Sequence, residues 1–291
     1  MGRIRLFEAV TVAYMIAVNQ LSVLNAVHTL DYIPGANFDE CVKLRNPRWA
    51  NCKIPDVGFS LNLPKSAVLR NMRIGFVGDS VLKQIYDAFE CMYPETESNY
   101  FESGITGNTL CNFCVSNSDQ IVSYKFDILI LSEGLWFNLH PRVGKMVWRD
   151  YLTEIPCVLS QLRELNVKFL WIQRTFQHFN TRGGDFPHLR TASPKTKKEQ
   201  KKYAKCVPLS SIQTQSAYHF VLERNFRIFF PNSTGLQMVL EDFTQKMHMM
   251  HTGDRKKGLL DCTHYCQKKN GVPFQFAKNI AEHILLSKDF K

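Results

Sequence analysis

A second Cys-x-x-Cys unit is missing from this chain, and its absence removes the four-thiolate pattern of a zinc ribbon. Cys111-Asn112-Phe113-Cys114 stands alone, and a lone unit is weak evidence for metal or redox chemistry. No internal repeat is visible, which excludes solenoid and propeller architectures. Acidic residues are scarce relative to basic ones, 26 against 36, leaving a formal net charge of +10. Such an excess points to an anionic partner. A clean membrane span is also lacking, because the apolar stretch 6–27 is interrupted by Glu8, Asn19, Gln20 and Asn25. With the basic segment Gly2-Arg3-Ile4-Arg5 ahead of it, residues 1–28 read instead as a signal peptide or signal anchor. The bland alternative is a buried amphipathic helix.

What is present fits an oxidising compartment. Nine cysteines is a high count for 291 residues, and the odd number leaves at least one thiol outside any intrachain pair. A secretory protein rarely meets nucleic acid, so acidic glycans or a membrane surface suit the positive charge better. Six lysines fall in the run 195–205, a pattern that usually marks a solvated loop. Asn232-Ser233-Thr234 is the only Asn-x-Ser/Thr acceptor, which makes Asn232 the candidate glycosylation site.

From residue 71 onward, short apolar runs alternate with helical patterns, as βαβ units require. The spacing predicts strands at 73–77, 126–131, 167–172 and 226–230. It predicts helices at 81–93, 147–165 (broken or kinked near Pro156), 211–224, 235–248 and a last one opening at Pro273. Residues 95–120 read as a polar loop above the sheet, and 177–208 as a long basic connection. Residues 29–70, rich in Pro, Asn, Cys and Trp, read as an irregular lobe in front of the main domain at 71–291.

Two short motifs carry the chemistry. Gly78-Asp79-Ser80 follows the apolar run Ile74-Gly75-Phe76-Val77, and Asp261-Cys262-Thr263-His264-Tyr265-Cys266 lies near the C-terminus. A strand that turns into a helix at Gly-Asp-Ser exposes the serine at the carboxyl edge of the sheet, where α/β proteins bind ligands. A serine becomes a nucleophile when an imidazole takes its proton, and a carboxylate fixes that imidazole's tautomer. Ser80, His264 and Asp261 are the residue types for those roles. Ser80 as a helix cap and His264 as a surface histidine are the bland alternatives, and Asp79 could itself serve as the cap. Gly134, lacking a side chain, suits a second oxyanion donor beside the Ser80 amide.

Together these motifs resemble the PC-esterase domain, an SGNH/GDSL-like acyl-esterase fold found in plant trichome-birefringence-like polysaccharide O-acetyltransferases. Three further segments fit: 127–137, ending in Gly134-Leu135-Trp136; Arg174-Thr175 with His178-Phe179 and Gly183-Gly184; and Val272-Pro273. The resemblance spans roughly residues 38–287. It implies a three-layer SGNH-like α/β sandwich with a mostly parallel sheet and a disulfide-tied N-terminal lobe. It also implies Cys41–Cys91, Cys52–Cys266 and Cys206–Cys262 pairs, leaving Cys111, Cys114 and Cys157 open. Asn138 is the local candidate for the asparagine donor of that superfamily, although its spacing departs from the usual form. Asp79, Trp136, Arg174 and His178 become candidate substrate-binding residues. Trp136 could stack on a sugar ring or lie in the core, Arg174 could bind an acyl carbonyl or form a structural ion pair, and His178 is a spare base.

The activity implied is glycan O-acetyl transfer through an acyl-enzyme, in the Golgi membrane or outside the cell. Hydrolytic deacetylation by the same residues is the alternative, and a non-catalytic carbohydrate-binding protein is a further one. No bound cofactor or metal is implied. A transferase would draw on an acetyl donor such as acetyl-CoA as co-substrate, with a glycan or other hydroxyl-bearing acceptor.

Overall fold

The computed structural model of the chain describes residues 38–50, 52, 63, 67–103, 110–132, 137–138, 146–172, 177–180, 206–208, 216–231, 237–238, 249, 251 and 261–287. The segment 1–28, Gly134, Trp136, Arg174, Asn232 and the basic run 195–205 lie outside the described residues.

Three apolar runs form the centre of the sheet: β1 (Arg73–Gly78), β3 (Ile128–Ser132) and β6 (Phe169–Ile172). They are buried on both faces, which is why they read as continuous apolar stretches rather than alternating ones. Two further strands, β2 (Glu97–Glu102) and β7 (Gln237–Met238), complete a five-stranded sheet of order β2-β1-β3-β6-β7, parallel throughout. A separate two-stranded ladder joins β4 (Phe137–Asn138) to β5 (Met146–Val147).

Successive side chains of a strand point to opposite faces, and the two faces build two cores. Ile74, Phe76, Ile128, Ile130, Leu170 and Ile172 face one cluster. Val77, Leu129, Leu131, Phe169 and Trp171 face the other. Two of the helices over the first face are α3 (Ser80–Met92) and α8 (Val272–Leu286), which contribute Leu82, Ile85, Phe89, Phe276, Ile280 and Ile284 to it. The second face is covered by α4 (Leu110–Ser116), α5 (Ser118–Tyr124), α6 (Trp148–Leu165) and α7 (Ser216–Phe229). The result is a three-layer α/β sandwich. Each large apolar side chain buried in these layers stabilises the fold by roughly 1.5–3 kcal/mol.

The N-terminal lobe is not irregular throughout. It contains α1 (Phe38–Arg45) and α2 (Pro47–Ala50), and Phe38, Val42 and Ala50 join the first core. Phe38 meets Phe274 of α8 edge-on at 5.0 Å. Here the lobe is part of the domain's own packing rather than an appendage.

Several sequence expectations need correction. Residues 226–230 are not a strand: Leu222 and Phe226 stand one helical turn apart, and both bury their side chains from α7. A short aromatic run cannot be told from a strand by apolarity alone. The helix expected at 211–224 runs on past its expected end to Phe229, with described residues helical from Ser216 and residues 211–215 outside the described ones. Within the expected helix at 235–248, Gln237 and Met238 form the edge strand β7. The stretch 95–120 is largely regular, holding β2, α4 and part of α5. It escaped detection because Glu97–Glu102 is a polar edge strand, only partly covered. The helix at 148–165 continues through Pro156. Among the described residues, no helix is long and apolar enough to cross a membrane.

Candidate active site

After β1 the chain steps outward to β2, and then returns to the other side of β1 as β3. Beyond the carboxyl ends of β1 and β3 lies the crevice that such a reversal opens in a parallel sheet. Gly78 and Ser132 are register partners at that edge. A Cβ on Gly78 would stand 2.7 Å from the Ser132 carbonyl oxygen, a backbone atom that cannot yield. Glycine is therefore required for the strands to approach here.

Asp79 follows, in extended conformation, as the N-cap of α3. Its Oδ1 accepts from the Val81 N–H at 2.9 Å and the Leu82 N–H at 3.3 Å. The expectation that Asp79 binds substrate is thereby corrected, because the carboxylate is buried and spent on the helix terminus. From β2, the Tyr100 hydroxyl reaches the carbonyls of Gly78 and Asp79 at 2.8 and 3.0 Å. Burial, and then the Asp79 carboxylate, push the Tyr100 pKa well up, so the phenol remains a donor. Ser80 is left as the first helical residue, at the mouth of the crevice.

The Asp261 segment meets it from the far end of the chain. Asp261 Oδ1 accepts from the Thr263 and His264 N–H groups, both at 3.0 Å, which closes a tight turn. Its Oδ2 lies 2.8 Å from His264 Nδ1, and His264 Nε2 lies 2.8 Å from Ser80 Oγ. A carboxylate accepts, so Nδ1 carries the proton and Nε2 presents its lone pair to the serine hydroxyl. Burial works to raise the Asp261 pKa. It is outweighed by the His264 ring, whose hydrogen bond and charge, with the backbone N–H groups of His264 and Thr263, hold it down at about 2. Asp261 is thus the anion the relay needs.

Trp49 of α2 stacks on the His264 ring, with centroids 4.8 Å apart and planes 18° from parallel. His251 donates from Nδ1 to the His264 carbonyl at 3.1 Å and stacks on Tyr265 at 4.3 Å. Burial, and then His178, lower the His251 pKa well below its ordinary value, so its ring is neutral. The cysteines form four disulfides, Cys41–Cys91, Cys52–Cys266, Cys206–Cys262 and, in the second core, Cys111–Cys157, with Cα separations of 5.5–5.9 Å. The first three are the pairs that the family resemblance implies, and Cys111–Cys157 joins two of the three cysteines that it left open. Cys52–Cys266 and Cys206–Cys262 bracket His264, while Cys114 is buried and outside the four pairs.

The other expected residues divide into two groups. His178 is fully buried, its Nδ1 donating to the Val207 carbonyl at 2.9 Å and its ring against His251. It offers no surface to a substrate, and the ring that reaches Ser80 belongs to His264. Asn138 falls in β4, while Gly134, Trp136 and Arg174 lie outside the described residues. Trp49 was missed by sequence reasoning, and no local signal could have found it, because its partner lies more than two hundred residues away. Among the described residues no group of three or more His, Cys, Asp or Glu could hold a metal ion.

No protein-family model and no curated protein matches the chain. Solved structures do. An acetyl xylan esterase, AlAXEase, is similar at 12% identity over 74% of this chain and 98% of that one, with a TM-score of 0.39. The catalytic domain of peptidoglycan O-acetyltransferase A from Streptococcus pneumoniae is similar at 12% identity over 75% and 95%, with a TM-score of 0.38. An acetyl-xylooligosaccharide esterase from Geobacillus, Axe2, is similar at 14% identity over 74% and 93%, with a TM-score of 0.37.

Proposed function

We propose that the protein transfers acetyl groups at glycan hydroxyls by serine catalysis, as a glycan O-acetyltransferase. The observation that carries this reading is the relay Asp261–His264–Ser80, with both links at 2.8 Å between residues as far as 184 positions apart in the sequence. A binding protein has no need of such a chain of hydrogen bonds.

Ser80 Oγ attacks the carbonyl carbon of the donor ester while its proton passes to His264 Nε2. Asp261 stabilises the imidazolium without taking the proton. The negative charge falls on the carbonyl oxygen, at the positive end of α3. Asp79 occupies the Val81 and Leu82 N–H groups, and Lys83 N–H bonds the Asp79 carbonyl, which leaves the Ser80 N–H as the first-turn donor for that oxyanion. Gly134 and Asn138 remain the candidates for further donors. The tetrahedral species collapses, the leaving oxygen takes the Nε2 proton, and Ser80 is left acylated. An acceptor hydroxyl then gives its proton to Nε2 and attacks the acyl carbon, which releases Ser80.

Water in place of that hydroxyl makes the same residues an acetylesterase, and the resemblance to polysaccharide O-acetyltransferases favours transfer. The four disulfides support a place in the secretory pathway, where the +10 charge suits an acidic glycan acceptor.

The test supplies an acetyl donor and a panel of purified glycans, and measures glycan-bound acetyl and free acetate. Acetylated glycan is expected from the wild type and none from Ser80→Ala. Free acetate alone would make the protein an esterase. Neither product, with no acetyl found on Ser80, would overturn the reading.

A further inference from the structure

Neither disulfide beside His264 connects it to the helix that carries Ser80. Cys266 is tied to Cys52 in the N-terminal lobe, and Cys262 to Cys206. Trp49 and His251 also approach His264 from other parts of the chain. Covalently the turn reaches α3 only by way of the lobe and Cys41–Cys91, at the end of the helix away from Ser80, so a brace that sets the 2.8 Å spacing directly must come from the start of α3.

Gln84 has the placement of such a brace. It lies four residues after Ser80, one helical turn along the same side of α3. Its side chain is fully buried. Oε1 accepts from the Tyr265 N–H at 3.0 Å, and Nε2 donates to the Tyr265 carbonyl at 2.7 Å. One amide thus satisfies both backbone groups of the residue that follows His264, as a neighbouring β-strand would. The Gln84 carbonyl also accepts from Gln267 Nε2 at 2.9 Å. Three hydrogen bonds therefore run between one residue of the nucleophile helix and residues 265 and 267.

We infer that Gln84 is a positioning residue that sets the Ser80–His264 separation by clasping the Tyr265 peptide groups. This rests on the serine-nucleophile reading of the site. The chemistry demands an amide at this position. A planar group with one donor and one acceptor matches the N–H and C=O of one residue. A carboxylate lacks the donor, and an alkyl chain lacks both. Loss of the clasp frees the His264 turn to swing on its disulfides and its capped Asp261 turn. Those hold the turn's backbone to the lobe and to Cys206, and the lobe in turn reaches α3 only at its far end, through Cys41–Cys91, eleven residues from Ser80. A misplacement near 1 Å at reacting atoms costs on the order of 100-fold in rate.

The experiment compares wild type, Gln84→Met and Gln84→Glu by the rate at which a fluorophosphonate labels Ser80. In that step Ser80 Oγ bonds to phosphorus, fluoride leaves, and the hydroxyl proton passes to His264. It therefore reports base placement without an acceptor substrate. Gln84→Met fills a similar volume without hydrogen bonds, and Gln84→Glu keeps the acceptor for the Tyr265 N–H but loses the amide donor. Labelling is expected to fall at least tenfold in Gln84→Met, less in Gln84→Glu, with kcat falling by the same factor and KM moving less than about twofold. Melting curves recorded on the same samples restrict the comparison to folded protein. If Gln84→Met does not fold, Gln84→Glu decides alone. Labelling at the wild-type rate in a folded variant overturns the positioning role and leaves the serine mechanism standing. A wild-type Ser80 that takes no label overturns both.

Discussion

Ser80 is held by a strand, a cap and a helix, all within twenty residues of sequence. His264 is held by two disulfides, a stacked tryptophan, a neutral histidine and the Gln84 amide, gathered from segments up to 215 residues apart (264 minus 49). The serine arm is local and backbone-built. The histidine arm is long-range and side-chain-built. The rigidity of the first follows from propensity and capping, while the second exists only once the whole domain has closed. The difference predicts that damage to the two arms has different signatures: loss of chemistry at the centre, loss of stability on the histidine side, and small local effects on the serine side.

The largest effect tests the point where the arms meet. Ser80→Ala and His264→Ala should each lower turnover by roughly 10⁴-fold or more, with the double variant little worse than either, because both serve one proton transfer. Circular dichroism should show an unchanged fold. A single variant that retains a few per cent of wild-type turnover would break the comparison at its centre.

Next comes the histidine arm. Cys52–Cys266 closes a loop of 214 residues, and cross-links of that kind stabilise by about 2–5 kcal/mol. Cys266→Ser should lower the melting temperature by several degrees and reduce kcat even at temperatures where the protein stays folded. Unchanged kcat there would show that the lobe anchors the fold and not the base.

A third effect is electrostatic and belongs to the same arm. Asp261 is held at about 2, below its ordinary value of about 4. A depressed carboxylate stabilises the folded state above its unfolded pKa, and that contribution disappears as pH falls through the folded one. Stability should therefore drop between about pH 4 and pH 2, by about 2 kcal/mol attributable to this group. Asp261→Asn should flatten that part of the curve in chemical denaturation. An identical acid slope in the variant would assign the loss to other carboxylates.

The smallest effect is expected on the serine arm. Asp79→Ala removes a cap that satisfies two N–H groups, at a cost of about 1 kcal/mol. Urea unfolding should register that loss while the disulfide-framed histidine turn remains intact. A loss as large as that of Cys266→Ser would erase the distinction between the arms.

The same contrast explains what could be read from the chain in advance. β1, β3, β6, α3 and α8 were legible because each declares itself by an apolar run or a helical repeat within its own span. Ser80, Asp261 and His264 were legible as a candidate triad from two short motifs, and the fold brings the three within hydrogen-bond distance. The edge strand β2 was not, because an edge exposes polar side chains and weakens the alternation that marks a strand. Phe226 misled because an aromatic cluster satisfies either period until a packing partner is chosen. Asp79 was offered as both cap and ligand, and only the positions of the Val81 and Leu82 amides decide between them. By residue type Trp49 suits any core and Gln84 a helix surface. Their roles arise from contacts made across the fold, which no window of sequence contains.

The 184 residues between Ser80 and His264 also set a clock. Chains are synthesised at about 5–20 residues per second, so a growing chain carries its serine for roughly 10–40 s before its histidine exists. Throughout that interval the strand, the cap and the helix can form, yet no base stands beside the hydroxyl. On the proposed mechanism, Ser80 cannot act as a nucleophile until the Asp261–Cys266 segment arrives, docks on Gln84 and pairs with Cys52 and Cys206. On that mechanism, reactivity waits for the far end of the chain.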